Sequence, residues 1–260
     1  MSKEKNENYG ISLENGNLIW GPTPAEYYLN SLDDTKSGAR AIAYGKLYSA
    51  SCSGIVYCYD VNNGNLLWTY NATDPFQEIL WANNWWMRPL FITDGKLYVS
   101  HYEHSPIDPR PRGGPFICLN ATTGEEIFRI DGMFRSTRWG GRALIGDSII
   151  ATTDTYDMRI YAIGKGPSAT TVTAPSTGVN IGSSVLISGT VMDISPGTKD
   201  DSLVMRFPNG VPAVSDANQD DWMLYVYKQF PSPASVLGVP VTVDVIDANG
   251  NYRNIGTTTS

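Results

Sequence analysis

The chain has little cysteine, histidine or charge. Only 3 of its 260 residues are Cys, at positions 52, 58 and 118, and none of them forms a C-x-x-C pair. That excludes zinc ribbons and thioredoxin-like sites. Each Cys lies in an apolar or small-residue strand context, where a free thiol packs as a small hydrophobe, so buried free thiols are expected. Charged residues make up 17% and the net charge is −7, which argues against a nucleic-acid binder working through positive charge. No apolar run approaches the roughly 20 residues of a membrane-spanning helix. The N-terminal segment 1–8 is polar, with no apolar signal core. G-x-S-x-G, P-loop and dinucleotide-binding motifs are lacking, so no catalytic residue is assigned.

What is abundant is glycine, proline and aromatic side chain: 25 Gly, 16 Pro, 15 Tyr and 7 Trp, with 42% hydrophobic residues. This composition buries a core and turns often, as an all-β chain does. Self-similarity organises the first 164 residues. Glu14-Asn15-Gly16-Asn17-Leu18-Ile19-Trp20 recurs as Asn62-Asn63-Gly64-Asn65-Leu66-Leu67-Trp68 and, degraded, as Thr122-Thr123-Gly124-Glu125-Glu126-Ile127-Phe128. A second module, Gly45-Lys46-Leu47-Tyr48, recurs as Gly95-Lys96-Leu97-Tyr98, and Gly146-Asp147-Ser148-Ile149 is aligned as its third copy. The period is about 50 residues, the size of a four-stranded propeller blade. Leu47–Tyr59 reads as a hairpin around Ser53-Gly54, and Asn63-Gly64 as a type I′ turn.

These two modules, in this order, resemble the PQQ-type propeller repeat over residues 11–164. The resemblance implies about three four-stranded blades and an incomplete ring. It also implies that Trp20 and Trp68 dock between neighbouring blades, with Phe128 in the third slot. Three repeats do not close a ring. Blades lying upstream of a truncated start, oligomerisation, or an open stack would each account for this. A quinoprotein dehydrogenase of the family needs a calcium site and an aspartate base. No such set can be assigned here, so neither PQQ nor calcium is expected.

After Gly164 the composition shifts. Segment 165–170 reads as a linker. Residues 171–260 resemble a bacterial or archaeal immunoglobulin-like sandwich truncated at its C-terminus. Its strands are expected at Thr171–Pro175, Ser184–Val191 and Gly238–Asp247, with Tyr252–Thr258 following an Asn249-Gly250 turn. A helical insertion is expected near 216–230, with Asp216 as N-cap.

Other constellations are weaker. His101 and His104 read as a polar loop after a strand, because nearby prolines forbid the helix that would put both on one face. Asp216-Ala217-Asn218-Gln219-Asp220 has EF-hand-like spacing but lacks the loop glycine and the final Glu. No metal site is assigned. Trp81, Trp85, Trp86 and Arg88, with Arg135, Arg138 and Trp139, form an aromatic and arginine-rich candidate ligand surface, for example for a glycan. The sequons Asn71-Ala72-Thr73 and Asn120-Ala121-Thr122 are compatible with a cell-surface setting. The expectation is a non-catalytic binding or scaffold segment of a larger secreted or surface protein, archaeal by look. Its partners would be other blades or proteins, with no nucleic acid. The alternatives are the non-catalytic end of a quinoprotein-like dehydrogenase and a glycan-binding module.

Overall fold

A computed structural model describes residues 2, 4–27, 39–79, 83–103, 111–132, 136–137 and 143–260. The chain is mostly β and divides into two units, Met1–Gly164 and Lys165–Ser260. The first unit opens with a two-stranded hairpin, β1 (Gly10–Ile11) and β2 (Leu18–Trp20). A four-stranded antiparallel meander follows: β3 (Arg40–Ala43), β4 (Lys46–Ala50), β5 (Ile55–Asp60) and β6 (Leu66–Asn71). The next meander is β7 (Met87–Thr93), β8 (Lys96–Glu103), β9 (Phe116–Asn120) and β10 (Glu126–Ile130), with β11 (Ser136–Thr137) parallel to the end of β8. A third sheet holds three strands, β12 (Leu144–Gly146), β13 (Ile149–Asp154) and β14 (Arg159–Ile163). The two complete meanders have the build of propeller blades.

Two kinds of turn repeat. The strand-one to strand-two turns, at Tyr44-Gly45, Asp94-Gly95 and Asp147-Ser148, have both central residues at positive φ, as a type I′ turn requires. This shifts the third copy of the second module by two residues from the sequence alignment: Ser148, not Gly146, stands where Gly45 and Gly95 stand. The strand-three to strand-four loops differ from the expected type I′ turn, because only their glycine is left-handed, at φ 75, 73 and 77 for Gly16, Gly64 and Gly124. Each is a four-residue loop closed the same way. Ser12, Asp60 and Asn120 donate their N–H to the carbonyls of Asn17, Asn65 and Glu125 at 2.8, 2.9 and 2.8 Å. Their side chains then accept from the backbone two residues on.

Strand alternation sends one face of each sheet to each neighbour. Tyr48, Val56 and Cys58 of the first blade pack with Leu97, Val99, Ile117 and Leu119 of the second. From its other face the second blade sends Tyr98, Phe116 and Cys118 against Ile150 and Ile163 of the third sheet. The third sheet's own outer face carries Ile149 and Ile160, 50% and 78% exposed.

The second unit holds a three-stranded sheet, β15 (Ser168–Thr173), β16 (Ser188–Asp193) and β17 (Val211–Pro212), and a hairpin, β18 (Pro240–Ile246) with β19 (Tyr252–Thr259). The last three residues of the expected linker therefore belong to β15, whose Ser168 pairs with Asp193. A helix the sequence reading missed, α1 (Asp201–Arg206), starts at Asp200, whose carboxylate accepts from Ser202 N–H. The expected helix is α2 (Gln219–Lys228). Asp216 does not cap it: residues 216–218 form a 3-10 turn, and the Asn218 side chain accepts from Leu237 N–H at 2.9 Å. The described apolar cluster of this unit gathers around the helices, with Leu203, Val211 and Val226 buried against Phe207, Trp222 and Tyr225. It does not lie between two facing sheets. Val172, Leu186 and Ile246 stay exposed. Arg206 ties the helices together, donating to the carbonyls of Val226 and Tyr225 at 2.8 and 3.0 Å.

The Asp147-Ser148 turn generates a prediction. Serine in the left-handed region costs about 1 kcal/mol relative to glycine. Ser148→Gly raises stability by about 0.5–1 kcal/mol, read as a higher urea midpoint with an unchanged slope. A lower midpoint would contradict the turn assignment.

Candidate functional site

The repeat-to-repeat contact is the most regular constellation in the first unit. The Trp20 indole lies against Gly64, where a Cβ would come within 2.4 Å of its Cε3. Its Nε1–H donates to the Val61 carbonyl at 2.6 Å. Trp68 lies in the same way against Gly124, where a Cβ would meet its Cδ2 at 2.6 Å. Both tryptophans thus rest on the loop glycine of the next repeat. Behind it, across the sheet, a small residue makes room: Gly10 pairs with Trp20, Cys58 with Trp68 and Cys118 with Phe128. A register shift adjoins each of these three pairs. Phe128 has no following loop of this kind and instead stacks on Phe116, with Tyr98 at its edge.

A polar tie holds the N-terminal segment to the first blade. Buried Glu26 accepts from Asn8 Nδ2 at 2.7 Å and Ser49 Oγ at 2.8 Å, with the Arg40 guanidinium at 3.6 Å. Asn8 completes the tie by taking the Arg40 Nε–H. Sequence reasoning missed this group. Its members are 9 to 41 positions apart with no common motif, so no local signal marks it. Asp74 accepts from the backbone N–H of Phe76 and Ile79, and Asp154 from that of Tyr156. Arg129 holds Asp131 at 2.8 Å and donates to the Thr73 carbonyl.

The candidate ligand surface divides. Trp81, Arg135, Arg138 and Trp139, like His104, lie outside the described residues. Trp85 is fully buried between the first two blades, edge-on to His101. It is therefore a core residue and not an exposed sugar platform. His101 and Tyr102 are also buried, because β8 runs on to Glu103 where the sequence suggested a loop. Arg88, itself buried, lies 4.8 Å above the Tyr102 ring. Trp86, Arg88, Tyr102 and Cys52 line a cavity of about 10 Å3, room for one water and far below a sugar or quinone. A shallow groove of about 220 Å3 runs beside Trp20, Thr23, Asn63 and Leu66. Its indole is already covered by Gly10 and Gly64 and bonded through Nε1. Among the described residues no group of three or more His, Cys, Asp or Glu side chains could hold a metal ion. Among the described residues the buried carboxylates, Glu26, Asp74 and Asp154, have structural partners.

All three cysteines are buried, and Cys58 and Cys118 are free thiols. Burial pushes the Cys58 thiol up to about 12 and the Cys118 thiol up to about 11.

No family model matches the chain, and no curated protein does. Solved structures similar to it include a europium-containing methanol dehydrogenase (18% identity, TM-score 0.31, covering 47% of this chain and 21% of that one). BamB from Moraxella catarrhalis is similar at 13% identity and TM-score 0.32, over 61% of this chain and 43% of that one. The quinohemoprotein alcohol dehydrogenase ADHIIG from Pseudomonas putida HK5 is similar at 16% identity and TM-score 0.34, over 75% and 24%. The chain thus spans less than half the length of these three proteins. No helix among the described residues is long and apolar enough to cross a membrane.

Two predictions arise here. Gly64→Ala places a methyl inside the Trp20 contact and strains a left-handed position, costing at least about 2 kcal/mol. Trp20→Ala costs about 2–4 kcal/mol. The double variant should cost clearly less than the two singles added, and strict additivity in urea melts would dissolve the coupling. The thiols give the second. The native chain at pH 8 should leave all three unreactive to Ellman's reagent until denaturant is added. Because the folded thiols hold their protons above the unfolded value of about 9, folding stability should fall as pH rises from about 9 towards 12. Stability rising over that window would contradict the burial.

Proposed function

We propose that this chain is a non-catalytic binding or scaffold segment of a larger secreted or cell-surface protein, built on PQQ-like propeller repeats. The observation that carries this is the employment of its buried carboxylates. Glu26, Asp74 and Asp154 each accept hydrogen bonds that hold a strand end or loop in place. A general base needs a lone pair facing a substrate-sized space, and these side chains spend theirs on the fold. The exposed apolar outer face of the third sheet supports the assembly half of the reading, since such faces mark contact sites.

The competing reading, the non-catalytic end of a quinoprotein-like dehydrogenase, predicts quinone affinity. Pyrroloquinoline quinone and calcium, added together at a hundredfold excess, should leave the thermal midpoint unchanged and support no dye-linked alcohol oxidation. A midpoint raised by several degrees, as saturating ligand would give, overturns the proposal.

A further inference from the structure

The third sheet is a blade lacking its fourth strand, and the two complete blades show what that strand looks like. Superposing the pairings makes β12, β13 and β14 the equivalents of β3, β4 and β5. Leu47 pairs with Tyr59 as Ile150 pairs with Ile163, and Tyr48 with Cys58 as Ala151 with Ala162. In the complete blades the third strand pairs with a fourth, Cys58 with Trp68 and Cys118 with Phe128. No strand among the described residues pairs with the outer edge of β14. The next strand of the chain, Ser168–Thr173, has its pairing with β16.

The vacant position is also a seat for an aromatic. Trp68 sits beside Cys58 with the Tyr48 ring 5.9 Å away. Phe128 sits beside Cys118, against Tyr98 and Phe116. The corresponding residues of the third sheet are Ala162, Ala151 and Ile160, and all three are exposed. Alanine in place of tyrosine widens the seat, which suits an indole better than a phenyl ring.

We propose that the outer edge of β14 binds an extended strand of a partner polypeptide, of the kind represented by β6, with a tryptophan beside Ala162. The proposal rests on the scaffold reading above and names the partner's chemistry. Main-chain hydrogen bonds along the edge supply affinity and the indole seat fixes register. Among the described residues a second copy of this chain offers no spare fourth strand as donor. Its own fourth strands, β2, β6 and β10, each pair within their own sheet, and β15 to β19 pair among themselves.

The test uses the full chain and a labelled synthetic decapeptide with the sequence of residues 62–71. Saturable binding is expected, with amide exchange over residues 158–164 slowed at least tenfold. The Trp68→Gly version of the peptide should bind at least tenfold more weakly. Ala162→Trp, which fills the seat from within at an exposed position, should weaken the parent peptide as much while leaving the thermal midpoint unchanged. Unaltered exchange over 158–164, or equal binding by both peptides, overturns the proposal. So does slowed exchange there on raising protein concentration without peptide, which would assign the edge to a second copy. Failure of the scaffold reading would show separately, as quinone binding.

Discussion

An aromatic ring resting on a glycine of the next repeat is the constraint on which the first unit depends. A blade of this kind is apolar on both faces and gains stability only from neighbours. Trp20 on Gly64 and Trp68 on Gly124 set the distance and phase at which those neighbours meet. The loop glycine serves twice. Its left-handed backbone closes the hairpin, and its missing Cβ admits the indole. A side chain there would fail on both counts, so turn chemistry and interblade packing fall on one residue.

The same contact explains the cysteines. The closing aromatic needs a small partner across the sheet, and Gly10, Cys58 and Cys118 supply it. A thiol is compact, polarizable and without an obligatory hydrogen bond, so it fills the space behind a ring at little desolvation cost. Two of the three cysteines thus have packing roles tied to the repeat, and their raised thiol pKa values follow from the depth at which the repeat buries them.

Much of this order was legible in the sequence where it is local. The two modules, their period and the sheet-forming segments can be read directly, since they rest on turn residues and strand alternation. The small residue ten positions before each of Trp20, Trp68 and Phe128 was also there to be read. Glycine and cysteine do not look alike until the strand pairing sets them in one place. The third type I′ turn was misregistered because glycine was followed as the marker, whereas the backbone puts Ser148 in that conformation. Glu26 with Asn8, Arg40 and Ser49 was out of reach, because no spacing rule joins residues that meet only after the sheet forms. Trp85 misled in the opposite direction: a tryptophan beside polar residues in a connection reads as exposed, yet its backbone N–H pairs with Ala72 and its ring is drawn into the core.

Repetition also makes an irregularity informative. In a chain without internal copies, a strand paired on one side, as β14 is with β13, is simply an edge, and edges are ordinarily blunted by charge, proline or a covering segment. Here two finished blades define what the edge is built to accept, down to the residue facing the aromatic. Ile160 and Ala162 sit where their counterparts are wholly buried, as Val56 and Cys58 in the first blade and Phe116 and Cys118 in the second. A hydrophobic strand exposed at a position that the fold elsewhere keeps dry costs solubility without benefit to the isolated chain. On the proposal above, the physical sense of the third sheet lies in the strand that completes it.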